Sequence, residues 1–192
     1  MARVTPQTHG DILAAAARRF AVTGYKGTSL QDIAREVGCS KAAVLYHFAN
    51  KEALLAELMA KPLDVLRQLD EQLAGLDGAD AQRAAAEGFV DLAVRFRREI
   101  ALLRGEFPDL LAQPAFAHVQ RISERLIDAL TGHTDRVAAR IAALVLLAGI
   151  PEACAEFVDV PDDELRRALL AIARRVLAPL DPPPPPAPSV NH

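Results

Sequence analysis

Between residues 28 and 51 the chain gathers hydroxyls, cations and ring-bearing side chains at spacings that suit a polyanionic partner. Lys41, Ala42, Leu45 and Tyr46 recur at i+3 and i+4, so a helix through them brings all four onto one face and turns Val44 and Phe48 to the other. That face combines a cation, a methyl-sized residue, an aliphatic and a phenol. In a DNA major groove Lys41 is placed to reach guanine O6 or N7, Leu45 to press on a thymine methyl, and Ala42 to let the helix come close. The hydroxyls of Thr28 and Ser29 beside free N–H groups at a helix start, together with Tyr46, His47 and Lys51, offer donors to phosphate oxygens, which fix register without reading sequence. Tyr46 and His47 also suit a plainer role, covering a small helical core with their polar tips in water. Their position after a short capped helix and close to Lys51 favours the DNA reading.

Short helices must hold these groups. After "YKG", Thr28 or Ser29 caps a helix whose apolar side is Leu30, Ile33, Ala34 and Val37; Gly38 turns the chain, a next helix starts at Ser40, and Asn50 caps "KEALLAELMA". Ahead of them, Thr8 with Asp11 reads as a capping pair for a first helix with stripe Ile12, Leu13, Ala16 and Phe20, and Gly24 as its left-handed exit. Helix, three-residue turn with glycine, and second helix with a mixed outer face make a helix-turn-helix.

Charge is divided in the same way. The net charge of −3 conceals +4 over residues 1–51 and −7 over the remainder, a basic head on an acidic body. Ala and Leu dominate and apolar residues keep helical spacing, so the chain reads as all-α, with no internal repeat. Pro62 is expected to bend or break the fourth helix, "AGLDGAD" (74–80) to form a loop, and a long helix to run over about 81–105, burying Phe89, Leu92, Ala93, Phe96, Ile100 and Leu103. Pro108 and Pro114 bracket "DLLAQ"; further helices are expected over 116–130, 135–157 and 162–177, and the tail "PLDPPPPPAPSVNH" reads as extended. Cys39 and Cys154 are far apart, with neither CxxC nor a His pair, so no disulfide, metal or cofactor is expected and a reduced cytoplasmic setting fits. The most apolar run, Ile141 to Ile150, is shorter than a membrane span and reads as a buried helix.

The segment "TSLQDIAREVGCSKAAVLYHFANKEALLAEL" resembles the DNA-binding domain of the TetR family of transcriptional repressors, with Thr28, Ile33, Ala34, Gly38, Ser40, Phe48, Lys51 and Leu54 on its pattern. Cys39 replaces the family's usual Val. Leu45 stands where the family most often has a phosphate-contacting Tyr, which puts a methyl contact in its place. The resemblance covers about residues 8–57 and adds Ser40 to the DNA-binding set. It implies three parts: a DNA-binding domain over 1–52, a larger helical effector-binding and dimerisation domain over 53–178, and the proline-rich tail over 179–192. It further implies a homodimer on double-stranded palindromic DNA, released by a small-molecule effector.

Dimerisation falls to the last two helices, through Ile141, Leu144, Val145, Ala148, Leu165, Leu169, Ile172 and Val176, which offer more apolar surface than one thin bundle hides. A largely apolar effector pocket is expected near Phe89, Phe96, Phe107, Phe116 and Phe157, with Arg97, Arg104 or His118 as polar anchors. Core packing is the competing role for these aromatics, and a solvated face for Arg97. An enzyme finds no support: there is no HExxH, no paired Glu-x-x-His, no glycine-rich phosphate loop, and no Ser or Cys beside a base. An adaptor that keeps this fold without reading DNA has only the acidic body in its favour.

Overall fold

A computed structural model describes residues 6–102 and 116–178. Leu103, Arg104, Phe107, the piece between Pro108 and Pro114, and the proline-rich tail lie outside the described residues, as does the Thr8 side chain. Regular structure among the described residues is entirely helical: α1 (Pro6–Gly27), α2 (Leu30–Val37), α3 (Lys41–His47), α4 (Lys51–Leu58), α5 (Ala60–Leu73), α6 (Gly78–Arg95), α7 (Arg97–Ala101), α8 (Ala117–Leu130), α9 (Val137–Glu156) and α10 (Asp162–Leu177).

Several boundaries differ from the sequence reading, each for a local reason. α1 already runs from Pro6, so Thr8 lies inside the helix and is not its cap; proline is tolerated there because a first-turn N–H has no intrahelical partner. Gly24, at φ 74 and ψ 163, interrupts α1 where expected, in a region that only glycine enters without strain. The break after α4 comes at Met59, and Pro62 sits buried in the first turn of α5, where its missing N–H costs nothing. The loop after α5 is short, because α6 begins at Gly78. The long helix expected to reach residue 105 stops at Phe96 (φ −113, ψ 26) and resumes as α7. In an unbroken helix consecutive side chains diverge by about 100°; the break lets Phe96 and Arg97, neighbours in sequence, both turn inward.

Two clusters of buried side chains result. The first joins Ile12, Ala16 and Phe20 of α1 to Ile33 and Ala34 of α2, Val44 of α3, Phe48, and Leu54 and Leu55 of α4, then continues to Met59, Leu102, Phe116 and Val119. α4 thus contributes Leu54 and Leu55 to the same cluster as α1, α2 and α3. The second cluster packs α5, α6, α8, α9 and α10 through Leu69, Phe89, Leu126, Leu146, Ile150 and Leu169, among others. Leu66 of α5 touches both. By length and composition α9 is apolar enough to cross a membrane, contrary to the estimate from its ten most apolar residues. Here it is a core helix along Ala143, Leu146, Ile150 and Cys154, with a second apolar face left exposed.

α5 and α6 approach one another closely at Gly88. A Cβ on Gly88 would stand 2.3 Å from Leu69 Cδ1 and 3.1 Å from Cδ2, and Leu69 is itself held in the core. Gly88→Ala should therefore lower stability by about 1–2 kcal/mol, overpacking outweighing the helix-propensity gain of about 1 kcal/mol. In a Leu69→Ala background the same change should be neutral or stabilising; additive losses in urea melts of the double-mutant cycle would contradict the contact.

Candidate nucleic-acid interface

Capping chemistry sets the helix-turn-helix. Ser29 (φ −108, ψ 158) caps α2: its Oγ accepts from Asp32 N at 3.2 Å, while its own N–H and O–H donate to Asp32 Oδ2 at 3.1 and 2.6 Å. The Ser29 hydroxyl donates to the Asp32 carboxylate, which the Ser29 hydroxyl and backbone N–H together hold below the usual carboxylate range, with Arg35 and Arg19 adding to the effect. Gly38, at φ 78 and ψ 27, ends α2 in the left-handed conformation, and Cys39 N donates to Ala34 O at 2.9 Å. Ser40 then caps α3, its Oγ accepting from Ala43 N at 3.1 Å, which leaves the hydroxyl proton to donate outward.

On α3 the two faces separate as the spacing requires. Val44 and Phe48 are buried, while Lys41, Ala42, Leu45 and Tyr46 are exposed, Leu45 by 43% and Tyr46 by 75%. These four, with Ser40 at the helix start, form the outward surface.

Four residues expected to grip phosphate are occupied inside the protein. Thr28 is buried; its hydroxyl donates to Gly24 O at 2.8 Å and lies 2.8 Å from the Thr23 hydroxyl, closing the α1–α2 turn. Lys51 Nζ donates to Tyr25 O at 2.6 Å and Thr28 O at 2.9 Å and sits 4.2 Å from the Tyr25 ring centroid. It is a clamp from α4 onto that turn, strengthened by its charge. His47 is half-buried, its ring 5.6 Å from that of His9 and its Nε2 enclosed without a hydrogen-bond partner among the described residues, so it covers the α1–α3 contact. Ser29 is committed to its capping box. The sequence reading missed His9, which stacks on Phe48 at 4.6 Å and contacts Glu57 Oε1 at 2.7 Å. Forty-eight residues separate that last pair, and nothing local in the sequence signals it.

The expected effector residues that the structure describes fall in separate places. Phe89 belongs to the body core, Phe116 to the N-terminal one, His118 is exposed, and so is Phe157. Phe96 and the Arg97 side chain are turned inward. A cavity of about 430 Å³ opens where the start of α6, the turn between α8 and α9, the first part of α9 and the end of α10 meet, walled by Gln82, Thr134, Ala138, Ile141, Val145 and Val176 among others. Along α9 the apolar side chains Val137, Ile141, Leu144 and Val145 are exposed, as are Ala148 and, on α10, Ile172. Leu165 and Leu169 are buried in the body, contrary to expectation, because the Leu165–Leu169–Ala173 stripe of α10 faces the core. Val176 is partly buried. No cluster of metal-ligating side chains occurs among the described residues.

A family model described as bacterial regulatory proteins, tetR family, matches residues 12–58. The transcriptional regulator RutR of Escherichia coli is 43% identical over 54 residues, 28% of this chain and 26% of RutR. The transcriptional repressor KstR2 of Mycobacterium tuberculosis is 26% identical over 125 residues, 62% of each chain. The matched stretches thus span less than two thirds of either curated relative. Among solved structures, the TetR-family regulator PfmR of Thermus thermophilus is 26% identical with a TM-score of 0.58, over 85% of this chain and 97% of PfmR. The structure of KstR2 shares the fold at a TM-score of 0.67 and 18% identity, over 88% of this chain and 94% of KstR2.

Two outcomes follow from this geometry. Lys51→Met, which keeps the stem and removes the ammonium, should destabilise the protein by about 1–3 kcal/mol in urea melts; an unchanged midpoint would return Lys51 to the phosphate-gripping set. Asp32→Asn should lower Tm at pH 7. A carboxylate held below its ordinary 3.8 stabilises above that value and loses the contribution as pH falls through its lower folded pKa, so the Tm values of mutant and wild type should converge in acid. A difference that does not shrink at all as pH falls from 7 into the acid range would disprove that assignment.

Proposed function

We propose that this chain, which belongs to the TetR family of bacterial regulatory proteins, represses transcription as a cytoplasmic homodimer on a palindromic operator and leaves it when a small molecule binds the body. The family is one of regulators and not of enzymes. The observation that carries the reading is the division of α3, with Val44 and Phe48 seated in the core while Lys41, Ala42, Leu45 and Tyr46 face outward. Lys41 reads guanine, Leu45 meets a thymine methyl, and Tyr46 and the Ser40 hydroxyl hold phosphate. Repression is supported by the description of KstR2 as a repressor.

The dimer is supported by the uncovered apolar stripe of α9 with Ile172 of α10, since neighbouring exposed apolar side chains of this kind mark interaction surfaces. A dyad through that face presents two copies of α3 to successive major grooves about 34 Å apart, or more on a longer operator. An effector then acts only as far as it binds one spacing of the heads better than the other.

Selection of duplexes from a random pool by the purified protein should yield a palindrome, bound with an affinity that falls steeply as salt rises. Lys41→Ala should relax preference at one base position by about 1–3 kcal/mol and leave the melting temperature unchanged. Ile141→Arg with Leu144→Arg should sediment as a monomer and lose most operator affinity. No salt-sensitive affinity for any duplex would overturn the proposal, and an unaltered dimer in the double mutant would overturn the placement of its interface.

A further inference from the structure

The cavity of about 430 Å³ beside α9 falls within the range of about 300–1,000 Å³ that small-molecule sites occupy, and its walls are firmly placed. Two glycines of the wall nearly touch: a Cβ on Gly132, in the turn between α8 and α9, would stand 3.1 Å from Gly78 O at the start of α6. Side chains fasten that turn. Gln82 Nε2 donates to Leu130 O at 2.9 Å, the Thr131 hydroxyl to Asp128 O at 2.7 Å and the Thr134 hydroxyl to Thr131 O at 3.2 Å. The rest of the wall is largely apolar. Ala138 and Ala142 share one row of α9, Ile141 and Val145 share the next, and α10 contributes Val176.

The hydrogens of these polar groups are mostly spent. Both threonine hydroxyls and one amide hydrogen of Gln82 go to backbone carbonyls, so the hydroxyls have only lone pairs left, and the Gln82 amide oxygen accepts from nothing among the described residues. A carboxylate or phosphate meets acceptors there, and the exposed Arg136 in the same wall offers an anion only a solvated pair, which is weak. An ammonium fares no better: no acidic side chain lines the cavity among the described residues, and Arg136 is a like charge. An uncharged apolar body with a hydroxyl meets both conditions, its proton going to a free acceptor and its carbon skeleton against Ala138, Ala142 and Val176.

We infer that this cavity binds a neutral apolar molecule carrying a hydroxyl donor, of the alkylphenol or medium-chain alcohol class, and that this molecule is the effector. Its role as effector rests on the ligand-responsive regulator proposed above. Ile141 and Val145 supply the connection, because they wall the cavity and also belong to the exposed stripe of α9 assigned to the dimer. A molecule packed against them changes how that stripe meets its partner, and so favours one spacing of the heads over another.

The test uses the full chain with para-butylphenol beside para-butylanisole, para-butylbenzoate and para-butylbenzylamine, read by titration calorimetry and by release of a selected operator. The phenol should bind about fivefold or more tightly than the ether, in which a methyl replaces the donated proton, and than either charged analogue, and it should release DNA. Ala138→Leu with Ala142→Leu fills the space with a residue that favours helix nearly as well as alanine, so phenol binding should fall about tenfold while the free protein keeps its Tm. Gln82→Met with Thr134→Val should erase the advantage of the phenol over its ether. An equally bound ether, a preference for the benzoate or the benzylamine, no phenol binding, or binding that survives the two leucines would overturn the site. Phenol binding seen only in a chain truncated after Ala178, or only in protein dilute enough to be monomeric, would assign the space to the proline-rich tail or to a second copy and overturn it as well. Phenol bound as described with operator affinity unchanged would overturn the effector role and leave the site standing. Absence of DNA binding with the phenol still bound would overturn the regulator reading alone.

Discussion

The outward face of α3 depends on the seating of Val44 and Phe48. Seven residues make two turns, far below the length at which a helix holds itself in water. Its orientation is borrowed from α1, α2 and α4, whose buried side chains form the socket for those two residues. The Ser40 cap and the left-handed Gly38 fix where α3 begins, and His9, stacked on Phe48, closes the other end. Lys41, Ala42, Leu45 and Tyr46 can then be held toward a groove although none of them belongs to the buried core.

This arrangement divides the polar residues of the segment into two groups. Thr28, Ser29, His47 and Lys51 serve the fold: a hydroxyl on a carbonyl, a capping box, a ring cover and an ammonium on two carbonyls. Lys41 and Tyr46 remain at the surface, where solvent or a partner meets them. The clamp by Lys51 also ties α4 to the α1–α2 turn, so a movement of α4 reaches the base of the reading head. α4 in turn is joined to the body through Met59, and Leu66 on α5 touches both cores. Packed contacts of this kind carry a shift at one end to the other because a dense core moves as a unit.

The body shows the complementary constraint. α9 is apolar nearly all round, yet one side of it packs within the chain, and α10 turns Leu165 and Leu169 inward while leaving Ile172 out. The apolar surplus is thus concentrated on one continuous stripe. Arg97 is the reverse case, a charge carried inward by a helix break that no glycine or proline announces.

What the amino-acid order determined by itself is local: helical period, caps at Ser29, Ser40 and Asn50, positive-φ turns at Gly24 and Gly38, and the split of α3 into two faces. Each of these is settled within about one turn of chain, by the backbone sterics of glycine, side-chain hydrogen bonds to the nearest free N–H, and the angle between neighbouring side chains. The tertiary structure decided which polar groups are left over, which side of α10 meets α6, where the cavity opens and that Arg97 lies inside. Those outcomes depend on partners tens of residues away, such as Lys51 on Tyr25 and Thr28, or Arg97 beside Asp162, and no local pattern encodes such pairings because they follow from how helices stack.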